Sequence, residues 1–455
     1  MSTALARDLA AIVGAEHVLE PAPAPYLADG TESRGVSGAA TAVVLPGSAE
    51  EVARVARWCF EHRIAMVPRG GGTGAAAGAV PAEGQVVVGL ERLTAVRQFD
   101  PLHWRIHVEA GLRTGDVHRL ARESGLCFPP DPGAAEQSQI GGNIATNAGG
   151  PHAFKYGVTG RWVTGIEAVV WPGELVTVGG PLRKDVAGYD LKSLLIGSEG
   201  TLGIITAAWL RLIPAPEAAF PVAAIYPDHE AGCDAIEAVL GSGLQPAALE
   251  HIDGEALAVS AAAFPIALAE PGFMVIAEAD GDPEEAERLR DELVSVLGDG
   301  SLAVHAPTER RDVEALWRWR DGVSYAVAGH LGHTVAEDVG VPVDRLRDIV
   351  AQTAEIGARH GAPGCTWGHA GDGNVHAHFM FAPSDAAGRA AALAAADELV
   401  ALAVELGGTV SGEHGIGTLK REHLREHTPT GLLELEQRVK AAFDPLGLLN
   451  PGKAI

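Results

Sequence analysis

Residues 68–74 read PRGGGTG and continue from the short apolar run IAMVP, 64–68. That run reads as a strand. Gly70, Gly71, Gly72 and Gly74 after it let several backbone N–H groups converge on one anion, which holds a phosphate without lysine. No G-x-x-x-x-G-K-[ST] pattern is present, and the loop is not a G-x-G-x-x-G that opens a helix, so neither standard nucleotide fingerprint applies. Taken alone, PRGGGTG is either an anion nest or a flexible turn.

Two further stretches share its character. PPDPGAAEQSQIGGNIATNAGG, 129–150, has two Gly-Gly pairs and little charge. KDVAGYDLKSLLIGSEGTLGIIT, 184–206, is also glycine-punctuated. Small residues and neutral donors suit loops that line a long groove for a dinucleotide, whose pyrophosphate is held by N–H groups.

Between the loops, short strands are expected at TAVVLP, GQVVVGL, WRIHVEAG, IEAVVWP and ELVTVGG. Ser48 with Glu51 forms a capping box ahead of the helix EVARVARWCFEHR. Thr114 is the expected cap of TGDVHRLARESG. After Pro214 and Pro216 the pattern changes to longer helices alternating with strands, including a helix capped by Asp282 with Pro283 at its first position. The pattern predicts an α+β chain of two domains with antiparallel pairing in the second. We place the boundaries at 1–215, 216–410 and a C-terminal segment 411–455.

Bulk composition narrows the class. A chain of 455 residues exceeds the size of one ordinary core, so two domains are expected. A net charge of −25 argues against nucleic acid or anionic lipid as the main partner. Cys59, Cys127, Cys233 and Cys365 form no C-x-x-C pair, so neither a disulfide framework nor a cysteine-held cluster is expected, and a reducing compartment fits. The N-terminus reads as an amphipathic helix and not as a signal peptide.

GHAGDGNVHAHF, 368–379, packs three histidines around turn chemistry. A hairpin there brings His369 and His376 together. His376 and His378 share a strand face. The choice is between a metal site and a polar hairpin. GEHGIG, 412–417, adds Glu413 beside His414. Two imidazoles and a carboxylate are an ordinary donor set for a divalent ion with an open position.

PRGGGTG, IGGNIATNAGG, GYDL, GSEGTLGIIT, GHAGDGNVHAH, GEHGIG and LNPGK occur in that order. With this set the chain, from about residue 35 to its end, resembles the flavin oxidoreductases of the vanillyl-alcohol-oxidase type. Within them it is similar to the group of D-lactate dehydrogenases, glycolate oxidases and D-2-hydroxyglutarate dehydrogenases. The resemblance implies a two-part FAD-binding domain of the p-cresol-methylhydroxylase (PCMH) type and an α+β substrate, or cap, domain with an antiparallel sheet. It places Arg69, Gly70, Gly71, Gly72, Thr73 and Gly74 around the FAD pyrophosphate. Gly141, Gly142, Asn143, Thr146 and Gly150 would line the cofactor channel. Glu199, Gly200, Gly203 and Ile205 would close over it, with Asn450 returning from the C-terminus. No histidine lies in the pyrophosphate loop, so FAD is expected to be non-covalent.

The same resemblance makes His369, His376 and Glu413 ligands of a divalent metal, zinc or a manganese- or iron-like ion. It makes His414 the general base and Arg320, in Leu-Trp-x-x-Arg, the clamp for a substrate carboxylate. His378 stands where 2-hydroxyglutarate-specific members have asparagine, and is either a substrate contact or a strand residue. Ala336 falls where dicarboxylate-specific members have lysine. The expected reaction is dehydrogenation of a small D-2-hydroxy carboxylate such as D-lactate or glycolate. The alternatives are 2-hydroxyglutarate, or an alkylglycerone-phosphate-synthase-like reaction. The expected acceptor is external: a quinone, an electron-transfer flavoprotein, a cytochrome or an iron–sulfur subunit. No nucleic-acid partner is expected, and a homodimer is compatible. The expected location is cytoplasmic, peripheral to a membrane only through the acceptor.

Overall fold

Val86–Gly89, the run VVVG, is fully buried and forms the middle of a mixed sheet. β1 (Val18–Leu19), β2 (Ala42–Val44), β4 (Val86–Gly89) and β3 (Met66–Arg69) lie in that order. β4 runs parallel to both β2 and β3, while β1 is antiparallel to β2. Buried parallel strands read as continuous β-branched runs, which is why AVV and VVVG lack alternation. The computed structural model describes residues 2–31, 34–268 and 272–455.

A second sheet is wholly antiparallel, in the order β5 (Val96–Asp100), β6 (Arg105–Glu109), β10 (Ile204–Arg211), β8 (Val163–Val170) and β9 (Glu174–Gly179). A short pair joins β7 (Leu126–Cys127) to β11 (Ile213–Pro214). Helix Ala49–His62 packs on the second sheet. Its start is the expected cap: Ser48 Oγ accepts from the Glu51 amide at 3.2 Å, and Glu51 accepts from the Gly47 amide at 2.8 Å. The two sheets belong to a unit made of residues 1–149, 158–215 and 414–455.

The second unit comprises residues 150–157 and 216–413. Its seven-stranded antiparallel sheet has the order β15 (Ala303–His305), β12 (Ala218–Tyr226), β14 (Phe273–Gly281), β13 (Leu249–Asp253), β17 (Gly364–His369), β18 (Asn374–Phe381), β16 (His333–Gly340). One face packs on helix Arg310–Leu331 through Leu316, Trp319, Val323 and Val327, against Ile252, Met274, Ile276, Cys365 and Trp367. The segment 150–157 is held on β14. Lys155 and Tyr156 bond Asp280, and His152 sits 2.8 Å from Glu278.

Two local expectations change. Thr114 is not a cap but the first helical residue after Arg113; its buried hydroxyl lies 2.8 Å from Ser138 Oγ. IGGNIAT is not loop but helix Ile140–Thr146, because its apolar positions Ile140 and Ile144 are buried one turn apart. The Trp317 indole N–H donates to Glu278 at 2.5 Å. All four cysteines are free. Among the described residues no helix is long and apolar enough to cross a membrane.

Candidate functional site

The glycine loop after β3 leaves donors unspent. Among the described residues, none of the N–H groups from Gly71 to Ala76 donates a hydrogen bond within the protein. Six successive open amides are a suitable wall for a pyrophosphate. The loop lies close against the 137–142 segment: a Cβ on Gly71 would fall 2.3 Å from the Gln137 carbonyl oxygen. Gly74 and Gly142 instead face open space. The Arg69 side chain folds against Gly72, where a Cβ would fall 2.0 Å from its Nη2, and donates to the Pro25 carbonyl at 2.7 Å.

The other expected cofactor residues divide by role. Asn143 is buried and donates to Thr114 Oγ1 at 2.6 Å, so its amide is spent on packing. Thr146 Oγ1 bonds back to the Gly142 carbonyl at 3.1 Å. Gly150 falls in the second unit, whereas Gly141 is in the first. Gly203 and Ile205 are buried around the start of β10, after the turn at Glu199 and Gly200. Glu199 accepts from the Ile416 and Gly417 amides, each at 2.7 Å. Burial pushes its carboxyl up, against those two N–H groups and Lys453. Asn450 donates to the Gly78 carbonyl at 3.0 Å and the Glu199 carbonyl at 2.7 Å, leaving its buried Oδ1 without a partner. Open amides, open glycine faces and an orphaned acceptor all fit a bound dinucleotide in this unit.

In the second unit β17 and β18 form the expected hairpin, with His369 and His376 near its closed end. Their rings are 5.3 Å apart and nearly perpendicular. Each Nε2 lies 3.4 Å from the same oxygen, Glu413 Oε1. Donor atoms at about 2.1 Å from a tetrahedral ion are roughly 3.4 Å from one another, so this spacing fits a divalent metal. His369 Nε2 is buried and completes no hydrogen bond, which leaves its lone pair for an ion. Exposed His/Glu groupings occur without metal, but here both imidazoles are buried.

Two carboxylates absent from the sequence reading position these donors. Glu250, on β13 opposite His369, accepts from His369 Nδ1 at 2.7 Å and from Arg320. Burial opposes its ionisation, yet the Arg320 guanidinium and His369 hold its carboxyl down at about 2. A carboxylate on the far nitrogen fixes the ring and its tautomer, and raises its basicity toward a metal. Asp338, fully buried on β16, accepts from the Gly412 amide at 2.9 Å, the Glu413 amide at 3.0 Å and Ser411 Oγ at 2.9 Å. Asn374 Nδ2 bonds its other oxygen at 2.6 Å. Glycine is required at 412, since a Cβ there would lie 1.8 Å from Asn374 Nδ2.

Arg320 is buried on helix Arg310–Leu331; Glu250 engages one Nη, and Nε is left without a partner. His378 sits beside Trp367, ring centroids 4.3 Å apart, directly opposite Ala336 on β16. His414 follows Glu413 and is half-buried. Trp319 donates to the Ser260 carbonyl at 2.9 Å and belongs to the core.

Comparison with known proteins gives the family of the chain. Residues 215–454 match the family "FAD linked oxidases, C-terminal domain", and residues 40–179 match "FAD binding domain". The glycolate oxidase subunit GlcD of Bacillus subtilis is 36% identical over 90% of this chain and 88% of its own. A D-2-hydroxyglutarate dehydrogenase of Xanthomonas citri pv. viticola is 35% identical, over 90% and 88%. A D-lactate dehydrogenase of Archaeoglobus fulgidus is 35% identical, over 91% of each. The solved structure of p-cresol methylhydroxylase with substrate bound matches with a TM-score of 0.80 at 17% identity, covering 99% of this chain and 96% of that one, which speaks to fold alone.

Proposed function

The chain belongs to the FAD-linked oxidases, of the vanillyl-alcohol-oxidase type, and on that premise we propose how its residues divide the work of oxidising a D-2-hydroxy acid. It is an FAD-dependent oxidoreductase acting on 2-hydroxy acids, with the PCMH-type cofactor domain and an α+β substrate domain. The observation that carries the mechanism is the convergence of two buried imidazoles on one Glu413 oxygen at 3.4 Å.

Bound FAD supplies the acceptor for an electron pair, and a divalent ion of the zinc, manganese or iron kind supplies Lewis acidity at the α-hydroxyl. His369, His376 and Glu413 hold that ion. Glu250 and Asp338 keep the donors in place. Arg320 offers the substrate carboxylate the N–H groups that Glu250 does not engage. His414 removes the hydroxyl proton as general base, a role suited to an imidazole near neutral pH. The open amides from Gly71 to Ala76 hold the pyrophosphate of a non-covalently bound cofactor. The substrate loses a hydride from Cα and a proton from oxygen, giving a 2-oxo acid. The electrons leave through an external acceptor, a quinone, electron-transfer flavoprotein, cytochrome or iron–sulfur subunit.

Ala336, opposite His378, offers no cation for a second carboxylate, which favours a monocarboxylate such as D-lactate or glycolate over 2-hydroxyglutarate. The test is anaerobic. D-lactate, L-lactate, glycolate and D-2-hydroxyglutarate are added separately to the yellow protein, with and without prior chelation. Bleaching by a short D-acid or glycolate that fails after metal removal supports the reading. Bleaching by D-2-hydroxyglutarate alone overturns the substrate choice. Bleaching unaffected by chelation overturns the metal role.

A further inference from the structure

At the end of the antiparallel sheet of the first unit, three arginines gather with one acid, Asp100, beside them. Arg105 on β6 and Arg211 on β10 are direct cross-strand partners. With Arg183, His103, Trp104 and Thr164 they line a cavity of about 220 Å³. Asp100 pairs with Arg105 at 2.9 Å and with His103 at 2.9 Å. Among the described residues, no carboxylate pairs with Arg183 or Arg211. Arg183 lies over the Trp104 ring at 5.0 Å, and Arg211 over the Trp162 ring at 4.4 Å. Aromatic faces thus hold both guanidiniums in place while their charge stays unspent. Arg211 Nε is buried and has no hydrogen-bond partner.

The surroundings make this unusual. The chain carries 59 acidic residues against 34 lysines and arginines. Acids should find unpaired arginines easily in such a chain, as they do at Arg347, which is ringed by Glu230, Asp234 and Glu237. Like charges at close range disfavour one another unless an anion joins them. Burial, followed by the nearby Arg161 and Arg183, pushes the Arg211 guanidinium down.

We propose that this cavity binds a small multivalent oxyanion, a phosphate group or a di- or tricarboxylate, between Arg183 and Arg211. Planar guanidiniums recognise both chemistries through paired N–H groups. Thr164, Trp104 and Pro181 complete the lining. The volume suits an anion of that size and not a dinucleotide, and none of these residues belongs to the glycine loops or to the His/Glu cluster.

The test uses the FAD-loaded protein at fixed ionic strength. Inorganic phosphate and citrate are titrated by calorimetry into the wild type, Arg183→Gln, Arg211→Gln and, as control, Arg347→Gln. The expected result is saturable one-to-one binding of at least one anion to the wild type and the control. Each cavity variant should weaken it at least about 10-fold, the loss of a charge-assisted contact. Phosphate binding without citrate assigns a phosphate group, and the reverse assigns carboxylates; either supports the site. Absence of saturable binding, or binding equal in wild type and Arg183→Gln, overturns it. Arg183 is an exposed side chain on a surface segment, so that variant stays informative even if Arg211→Gln folds poorly.

Discussion

His369 Nδ1 lies 2.7 Å from Glu250 Oε1, a carboxylate with no solvent exposure, on the strand paired with its own. That bond turns His369 Nε2 toward Glu413. Replacing Glu250 with glutamine removes the charge that orients the ring and leaves Arg320 unpaired. We expect metal affinity to fall about 10- to 100-fold while FAD stays bound. Metal content after dialysis against a graded chelator measures this, and unchanged retention would refute the positioning role.

Asp338 acts on the other two proposed ligands. It gathers the amides of Gly412 and Glu413, and its Oδ1 lies 3.8 Å from His376 Nδ1. Asp338→Ala frees the Glu413 loop and leaves its part-buried N–H groups without their acceptor, at a cost of no more than about 1–3 kcal/mol each. The variant is expected to lose metal and to melt earlier, with Asp338→Asn intermediate in both. A melting curve and metal analysis equal to wild type would sink the assignment.

His414→Gln removes the proposed base without touching the three metal donors. Turnover should drop about 10²- to 10⁴-fold, the usual contribution of a positioned base. Flavin spectrum and metal content should remain. Loss of all three together would mark His414 as structural.

Gly71→Ala probes the cofactor loop. Its Cβ would fall 2.3 Å from the Gln137 carbonyl oxygen, so one backbone segment must move. FAD occupancy after gel filtration is expected to fall sharply, while the proposed metal site in the second unit keeps its ion. Full yellow colour in this variant would argue against the pyrophosphate assignment.

Lys453 gives a pH prediction. Burial pushes its ammonium down to about 8, against Asp29 and Glu199, while Nζ donates to the Ala77 and Val80 carbonyls. Below that value both folded and unfolded chains are protonated, and the folded state bears the full desolvation cost. Above it the folded chain sheds its proton first, so this residue's contribution to stability rises with pH until the unfolded lysine also titrates. Between pH 8 and the ordinary lysine range, wild type should gain on Lys453→Met by up to about 3 kcal/mol. Denaturant unfolding at stepped pH checks the slope; a flat difference would refute it.

The order and spacing of the motifs determined much of this protein. Glycine clusters after apolar runs marked the loops proposed to hold the cofactor, because only backbone without a Cβ can present consecutive amides so closely. His369, His376 and Glu413 were legible because a hairpin turn and a glycine-flanked carboxylate are local chemistry. Glu250 and Asp338 were not. Each lies in a run that reads as an ordinary buried strand, LEHID or TVAEDVG, and neighbours in sequence say nothing about which strand lies alongside. Sheet register decided their roles: it set Glu250 opposite His369 and Asp338 opposite His376 across 119 and 38 positions of chain. The cation cavity has the same origin, since only pairing of β6 with β10 brings Arg105 against Arg211. Composition and short-range pattern set which groups could bind; long-range strand pairing, paid for by burial of apolar faces, decided which groups meet.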